Sequence, residues 1–323
     1  MLPVCFSNPN TVSTNSPQSP QNLTTCAYLT RLCNSPTLLT LTWSKTHFSH
    51  SLTIHAADCF CVTISLCPSA FSLFRNRAGS KSIDLSRTHH KKIKLYWDFT
   101  RAEFNHSSAE PDSSFYIAVT CNGRIEFFLG DLRDELTRRS GSSWNRQLGQ
   151  LTQLSRREHL FGRRNYSTRA QFMGAKREIE IECGGGVLKV RIDGETRLVV
   201  KRLAWKFRGY QRILVDGMEV EFFWDVFNWV VDKGSSSSGV FMFQLGDGGV
   251  CPEMVGPEKR LMRKSLSAAV TPVVLSPSPS CSSVLQWADE SSDCGKSSSS
   301  SSTRSRGTGR GFSLVLYAWR RRE

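Results

Sequence analysis

The chain has 323 residues, which is enough to bury one large domain or two small ones. Its 42 Lys and Arg residues exceed its 28 Asp and Glu residues by 14, and the excess lies mostly in 131–177 and from 259 to the end. No apolar run is long enough for a transmembrane helix, and the start lacks the basic and apolar segments of a secretory signal. Charge placed in this way favours loose attraction to polyanions or acidic partners over a shaped site.

Residues 1–36 are rich in Ser, Thr, Asn and Pro and predict a disordered leader. The absence of acidic residues before Asp58 is typical of plastid transit peptides, but Arg is scarce, so a plastid location is the weaker alternative. The eleven cysteines include no C-x-x-C pair. This pattern predicts reduced thiols in a cytoplasmic or nuclear protein.

The first strands are predicted by strict alternation of apolar and polar residues in "LLTLTWS", "SLTIHAA" and "FCVTISL". The segment around the second and third of them holds several metal-ligating residue types: His47, His50, His55, Asp58, Cys59 and Cys61. Alternation places His55 on the solvent face, and a zinc site needs two or three such ligands to converge. The sequence therefore predicts no metal site and no cofactor.

In the middle of the chain, "KIKLYWDF", "SFYIAVTC" and "RIEFFLG" predict three more strands. Asn122-Gly123 between the last two is a strong type I′ hairpin signal. The segment "GDLRDELTRRSG" then predicts one short helix near 131–139, with Asp131 as the N-cap residue, Leu132 and Leu136 on one face, and Gly141 just past its end.

The second series of strands is predicted in "AQFMG", "REIEIEC", "VLKVRID", "RLVVKRLAWKF", "RILVDG", "MEVEFFWDV" and "GVFMFQLG". A two-residue loop at Asp216-Gly217 would set Val215 opposite Met218, Ile213 opposite Val220, and Arg212 opposite Glu221. That register agrees with the side chains.

At Asp193-Gly194 a two-residue loop would instead set Val190 opposite Arg197. A slip of one residue moves every side chain to the wrong face of a sheet. We therefore predict a three-residue loop through Glu195, which sets Val190 opposite Leu198 and Leu188 opposite Val200.

Basic and aromatic side chains alternate in "VKRLAWKFRGYQRILVDG", residues 200–217. Alternation predicts that Leu203, Trp205 and Phe207 point into the core. The opposite face would then carry Arg202, Lys206 and Arg208. Together with Arg163 and Arg164 of the basic segment 131–177, these residues form the candidate anion-binding set. Stacking of bases requires rings and cations on one surface, so nucleic acid is disfavoured.

The tract after 264 is low in complexity and predicts a disordered Ser-rich insert over 265–311, followed by a closing strand at 312–319. Three serines are candidates for phosphorylation, which would offset the cationic excess: Ser167, Ser276 and Ser278. Leu-Gly-Asp recurs at 129–131 and 245–247, each time after an earlier Trp-Asp, which raises the hypothesis of an internal duplication.

Four segments and the closing "GFSLVLYAW" resemble a plant family known as domain of unknown function 868: "LTWSKTHFSHSLTI", "KIKLYWDFTRAEF", "SFYIAVTCNGRIEFFLGD" and "VRIDGETRLVVKRLAWKFRGYQRILVDGMEVEFFWDVFNWVV". The likeness runs from about 38 to 264 and resumes at the end of the chain. The resemblance implies a plant protein, and it brings no activity, cofactor or catalytic residue.

The sequence thus predicts an antiparallel β-sandwich or barrel-like domain over 37–264, completed by the closing strand. No G-x-S-x-G, H-E-x-x-H or Walker motif occurs, and no catalytic residue is identified. The leading hypothesis is a non-enzymatic interaction module that binds an acidic protein or an anionic lipid surface. The alternative is a carbohydrate- or small-ligand-binding sandwich, or an enzyme, with an aromatic cleft near Trp224 and Trp229.

Overall fold

The computed structural model describes residues 22–47, 49–56, 59–66, 77–84, 92–105, 108–144, 151–231, 238–245 and 311–320. Within these residues the chain is all-β, as the alternation predicted, with twenty strands and two short helices. No helix in the described ranges has the length and apolar character needed to cross a bilayer.

The strands of the first half are β1 (Asn22–Leu32), β2 (Ser35–Lys45), β3 (His50–Ala56), β4 (Phe60–Ser65), β5 (Ala78–Asp84), β6 (Lys92–Asp98), β7 (Glu103–Phe104), β8 (Pro111–Ser113), β9 (Tyr116–Cys121) and β10 (Arg124–Gly130). Helix α1 (Arg133–Ser140) and the short strand β11 (Ser143–Trp144) follow.

The second half comprises β12 (Thr152–Gly162), β13 (Asn165–Phe172), β14 (Ala175–Gly184), β15 (Val187–Ile192), β16 (Glu195–Val200), β17 (Arg208–Val215), β18 (Met218–Asp225), α2 (Phe227–Val231), β19 (Ser238–Leu245) and β20 (Phe312–Arg320). The closing strand predicted at 312–319 corresponds to β20. The Ser-rich insert predicted over 265–311 lies outside the described residues, apart from residue 311.

One nine-stranded sheet runs through the molecule in the order β17-β18-β19-β20-β12-β1-β2-β3-β4. The five-stranded sheet β11-β10-β9-β6-β5 packs against β1–β4, and the four-stranded sheet β13-β14-β15-β16 packs against β17–β20. Strand β12 lies between the two halves, parallel to β20 and antiparallel to β1. Its register places the two cores on the same face of the long sheet, so the fold is two sandwiches joined side by side.

The two halves repeat one plan, which supports the duplication hypothesis. Each has a four-stranded meander (β1–β4 or β13–β16) followed by a second one (β5-β6-β9-β10 or β17-β18-β19-β20). In the first hairpin of each second meander a Trp covers a Gly, Trp97 over Gly79 and Trp224 over Gly209. The following Asp in each half, Asp98 or Asp225, accepts a hydrogen bond from the main-chain N–H two residues on, at 2.9 and 3.0 Å.

The close approach of the Trp224 ring to Gly209 leads to a stability prediction. A Cβ at Gly209 would lie 2.0 Å from Cζ2 of Trp224, so the buried indole must move. We expect Gly209→Ala to lower the free energy of unfolding by about 1–3 kcal/mol, as measured by chemical denaturation. Gln211→Ala, at an exposed position of the same strand, should change it by no more than about 0.5 kcal/mol. Equal effects of the two substitutions would contradict the packing.

Two predicted hairpins are confirmed. Asn122-Gly123 joins β9 to β10 with both residues at positive φ, 49° and 76°. Asp216-Gly217 joins β17 to β18 in the same way, at 50° and 78°. The pairs Val215 with Met218, Ile213 with Val220, and Arg212 with Glu221 all form as expected.

At Asp193-Gly194 the predicted pairs form by a different route. The loop has two residues, with Ile192 opposite Glu195, and not the three we predicted. The register shifts instead at a bulge between Val190 and Arg191, which restores Val190 opposite Leu198 and Leu188 opposite Val200. The bulge absorbs the extra residue inside the ladder, where it also bends the strand.

The predicted helix is present, but Asp131 does not cap it. Helix α1 begins after Leu132, whose side chain makes no capping hydrogen bond. The Asp131 carboxylate instead accepts hydrogen bonds from the main-chain N–H groups of Ser114 (2.8 Å) and Phe115 (3.0 Å). Leu136 is buried and Gly141 ends the helix in the left-handed conformation, as predicted.

The predicted leader over 1–36 is corrected at its C-terminal part. Strand β1 occupies Asn22–Leu32 and pairs with β2 and β12 at the centre of the long sheet, and residues 1–21 lie outside the described ranges. The Thr-rich composition suggested disorder, yet β-branched residues suit strands. Cys33 and Asn34 form the two-residue turn between β1 and β2, both at positive φ.

The prediction of reduced thiols is wrong for two of the cysteines. Cys33 forms a disulfide with Cys121, which adjoins the Asn122-Gly123 turn, so the bond ties two hairpins from different sheets. Their Cα atoms are 5.6 Å apart across a sequence separation of 88 residues. No local spacing in the sequence could indicate this pair. Among the described residues the free cysteines are Cys26, Cys59, Cys61 and Cys183.

Candidate functional site

The basic and aromatic stretch at 200–217 does not form the continuous strand that was predicted for its first part. Strand β16 ends at Val200 and β17 begins at Arg208, so residues 201–207 form a turn that crosses from the four-stranded sheet to the long sheet. Trp205, predicted to be core, is 78% exposed, whereas Leu203 is buried. Phe207 is half-buried and packs against the core. Every-other-residue alternation holds only in extended backbone, and the turn breaks it.

Backbone hydrogen bonds hold this turn in place. The N–H of Leu203 donates to the carbonyl of Gly186 at 2.7 Å, and the N–H of Trp205 donates to that of Arg202 at 2.9 Å. The buried Trp224 indole donates to the carbonyl of Lys206 at 2.9 Å. Trp205 is therefore presented to solvent by a turn that is anchored on both sides.

Three cations flank the exposed ring. Lys201, Arg202 and Lys206 are exposed, and they make no ion pair within the part of the chain that the structure describes. Arg208 differs, because it donates to Asp225 at 2.8 Å and lies over the Phe227 ring at 4.8 Å. Of the three cations predicted on this stretch, Arg202 and Lys206 thus have no ion-pair partner among the described residues, whereas Arg208 has one.

The structure brings Arg163 and Arg164 to the same end of the molecule. They form the turn between β12 and β13, and the N–H of Cys183 donates to the carbonyl of Arg164 at 2.8 Å. The turns after β12 and β14 and the turn at 201–207 all lie at one end of the four-stranded sheet. We name this surface the basic end, defined by Arg163, Arg164, Lys201, Arg202, Trp205, Lys206 and Arg208.

The exposure of Trp205 removes the reason for disfavouring nucleic acid. That inference required the rings and the cations to lie on opposite faces, and Trp205 lies beside Arg202 and Lys206 on one turn. A shallow concave region of about 640 Å³ adjoins the turn, and its lining includes Lys201, Arg202, Lys206, Arg208 and Tyr210. The basic end therefore combines charge, an exposed indole and some concavity.

Trp224 and Trp229 do not line an aromatic cleft together among the described residues, although Trp224 is one of the residues that line the shallow concave region beside the basic end. Both side chains are only 5% exposed and belong to the core of the second sandwich. Trp229 stacks on Tyr166 with ring centroids 5.5 Å apart. The two indole rings therefore fill the core of the second sandwich and do not form a ligand site between them.

Of the three candidate phosphorylation sites, only Ser167 lies within the described residues. Ser167 is exposed on β13, an edge strand that starts beside the basic end. Ser276 and Ser278 lie outside the described residues. Phosphorylation at all three stays a prediction.

The histidine and cysteine segment has structural contacts. His50 contacts the carbonyl of Ala109 through Nε2 at 2.8 Å and packs on Phe104. Burial lowers the pKa of His50, although that hydrogen bond opposes the shift. His55 pairs with Cys61 across β3 and β4. Among the described residues, no group of three or more His, Cys, Asp or Glu side chains is placed to hold a metal. Asp58 lies outside the described residues.

A larger concave region of about 1000 Å³, which we name the central cleft, opens where the two sandwiches meet. Strand β12 contributes to its floor, and the β7–β8 region and strands β13 and β14 contribute to its walls. Sequence reasoning did not identify this site. Binding sites are common at such junctions between packed units.

The floor of the central cleft holds a buried charged cluster. Arg156 donates to Glu158 through Nε and to Glu110 through Nη1, the latter at 2.6 Å. Thr168 donates its hydroxyl to the second oxygen of Glu158, and Arg156 also contacts the sulfur of Cys26 at 3.4 Å. The side chains of Arg156 and Glu158 are 7% and 6% exposed.

The electrostatics of this cluster keep Arg156 charged and Cys26 neutral. Burial acts to lower the pKa of Arg156, but Glu110 and Glu158 outweigh it, so that pKa is raised well above its usual value. Burial raises the pKa of the Cys26 thiol to about 12. At neutral pH this thiol is therefore protonated and a poor nucleophile.

A β-bulge explains why the sequence concealed the cleft floor. The pairing of β1 with β12 shifts between Ala27 and Tyr28, so Leu154 is an extra residue in β12. Gln153 and Arg156, three residues apart, consequently face the same side. Simple alternation would put them on opposite faces. Glu110 is distant from β12 in the sequence and Thr168 lies on the next strand, β13, and the tertiary fold brings both side chains into contact with Arg156 and Glu158.

A family model described as "Plant protein of unknown function (DUF868)" matches residues 19–320. No curated protein and no solved structure matches the chain.

Proposed function

The chain belongs to the DUF868 family of plant proteins of unknown function, and from this premise we propose that it is a non-enzymatic module that docks on an anionic lipid surface through its basic end. The observation that carries the proposal is the 78% exposure of Trp205 on a turn that also bears Arg202 and Lys206. Trp prefers the boundary between water and lipid, because its ring is apolar and its N–H is polar.

A lipid surface fits this geometry better than a nucleic acid. Single-stranded nucleic acids are held in grooves where successive bases stack on several aromatic side chains. Here one indole lies at a turn, with exposed Ala204 next to it and cations on both sides. Such a turn suits insertion of one side chain among headgroups while the cations meet anionic lipids.

The expected contribution of the cations can be estimated. A Lys or Arg close to an anionic membrane surface contributes about 1 kcal/mol. Lys201, Arg202 and Lys206 together would then account for about a 100-fold change in the partition coefficient. Trp205 adds the transfer of its ring out of water, which is on the order of a further tenfold.

We expect the full chain to bind vesicles of phosphatidylcholine and phosphatidylserine, and to bind pure phosphatidylcholine weakly. Replacement of Lys201, Arg202 and Lys206 by Ala should lower the partition coefficient about 100-fold, and Trp205→Ala should lower it about tenfold. Binding should weaken steeply with added salt, because exposed charges are screened over about 10 Å at 0.1 M ionic strength. Co-sedimentation of protein with vesicles measures all three effects.

The matched control removes three exposed cations from the other sandwich, Arg31, Lys92 and Arg124, by replacement with Ala. It loses the same charge and should keep most of the binding. Equal losses in both triple variants would mean that net charge alone attracts the protein, and the proposal would fail. Tighter binding to poly-glutamate or to single-stranded DNA than to vesicles would also overturn it, in favour of an acidic protein or a nucleic acid.

The cytoplasmic or nuclear location stays a prediction. The Cys33–Cys121 disulfide runs against the reasoning behind it, because disulfides are rare in reducing compartments.

A further inference from the structure

The central cleft carries an inference that is independent of the basic end. Its floor is built from side chains that are buried and mutually hydrogen-bonded, so it does not consist of surface residues brought together by chance. Its volume of about 1000 Å³ is ample for a small organic molecule.

The charge of the floor is unbalanced. Glu110 and Glu158 share the single guanidinium of Arg156, so the cluster contains two carboxylates and one cation. A buried charge is costly unless it is paired and hydrogen-bonded. Thr168 supplies one hydrogen bond to Glu158, which lowers the cost without supplying a positive charge.

The other charged residues that line the cleft also include more carboxylates than cations. The carboxylates that line the cleft are Glu110, Asp112, Asp131, Glu158 and Glu178. The basic residues that line it are Arg156, Arg169 and Lys176. Lys176 pairs with Asp112 and Arg169 pairs with Glu178, so the excess of carboxylates over cations lies in the Arg156 cluster and at Asp131. That excess favours cations over anions in the cleft.

The cleft also has the other groups that a small organic cation would need. The side-chain amide nitrogen of Gln153, which lines it, is buried and has no hydrogen-bond partner among the described residues. An amide can present either its oxygen or its nitrogen to a ligand by rotating. Apolar side chains line the walls and could cover an alkyl stem: Phe115, Leu129, Leu151, Met173, Leu245 and Phe312.

We propose that the central cleft binds a small organic cation, an alkyl ammonium or alkyl guanidinium compound whose N–H groups pair with Glu110 and Glu158. The ligand would supply the second positive charge of a four-member cluster of two carboxylates and two cations. Its stem would lie along the apolar wall, and Gln153 would hydrogen-bond to it. This activity is binding alone and includes no covalent step.

The experiment is calorimetric titration of the full chain with agmatine, which carries both a guanidinium and an ammonium group. We expect measurable binding, no binding of glucose or acetate, and at least a tenfold loss of affinity in Glu110→Gln. Gln153→Ala should lower the affinity several-fold. This second variant tests the site even if Glu110→Gln is destabilised, because the side-chain amide nitrogen of Gln153 has no hydrogen-bond partner among the described residues.

Glu219→Gln is the matched control, because Glu219 is an exposed carboxylate on β18 outside the cleft. It should bind agmatine like the unaltered chain. The proposal is overturned if agmatine gives no heat at about 10 mM, a concentration that would nearly saturate a site with a Kd of about 1 mM. It is also overturned if folded Glu110→Gln and Gln153→Ala bind as tightly as the control, or if glucose or acetate binds more tightly than agmatine.

Discussion

Loss of the Cys33–Cys121 disulfide is expected to lower the free energy of unfolding by about 4–5 kcal/mol. The bond closes a loop with a sequence separation of 88 residues, and chain-entropy estimates for a loop of that size give this magnitude. The disulfide joins the β1–β2 hairpin of the long sheet to the β9–β10 hairpin of the five-stranded sheet. Without it, the two sheets of the first sandwich are held by packing and by hydrogen bonds such as the one that the Thr30 hydroxyl donates to the carbonyl of Glu126.

The measurement is thermal unfolding with and without reductant, and of the Cys33→Ser/Cys121→Ser double variant. For a chain of this size the expected fall in Tm is on the order of 10 °C. The Cys59→Ser/Cys61→Ser double variant is the control, since both thiols are free, and it should respond to reductant like the unaltered chain. Titration of free thiols in the native protein that includes Cys33 and Cys121 would contradict the structure.

Arg156→Met is expected to lower the free energy of unfolding by about 3 kcal/mol. The substitution keeps much of the volume but leaves Glu110 and Glu158 close together without the guanidinium between them. Breaking a buried ion pair from one side costs about 3–5 kcal/mol. The lower end applies because the Glu110 side chain retains 18% exposure.

Chemical denaturation measures this effect, and two further variants test its cause. Arg191→Met removes a cation that pairs with Glu180 and Glu182 on the surface, and it should cost no more than about 1 kcal/mol. Adding Glu110→Gln and Glu158→Gln to Arg156→Met should recover much of the loss, because the uncompensated charges are then gone. If the triple variant is less stable than Arg156→Met alone, charge imbalance is not the reason for the cost.

The central cleft and the duplicated plan are connected. Each half buries its own core between two meanders, and β12 is the strand that completes the long sheet between them. Arg156 and Glu158 lie on the core-facing side of β12, at the gap between the two upper sheets. Charged side chains are tolerated there because Arg156 pairs with both Glu110 and Glu158, and Thr168 donates a hydrogen bond to Glu158.

Most strand positions and much of the register were accessible from the sequence, but β1, β5 and β12 were not predicted as strands. The Asp216-Gly217 pairing was predictable because turn chemistry and alternation both act over a few residues. The error at Asp193-Gly194 was one of mechanism, since a bulge and a longer loop restore the same pairs. At Asp131 the residue type correctly suggested a carboxylate that accepts main-chain hydrogen bonds. The donors, however, are the N–H groups of Ser114 and Phe115 and not those of the helix.

The functional surfaces were less accessible. The cations of the basic end were identified in advance, but the exposure of Trp205 was not, because a turn of seven residues interrupts two strands that read as continuous. The cleft floor was missed entirely. Glu110 and Arg156 are 46 residues apart, and Cys26 and Arg156 are 130 apart.

The amino-acid sequence by itself determined the all-β class, the hairpin turns, the family and the uneven basic charge, because each of these depends on residues close together in the chain or on composition. Only the tertiary structure decided that Trp205 faces water, that Cys33 meets Cys121, and that Glu110, Arg156 and Glu158 share one buried cluster. Such contacts depend on how sheets pack and where ladders bulge, and those outcomes are set by the whole core.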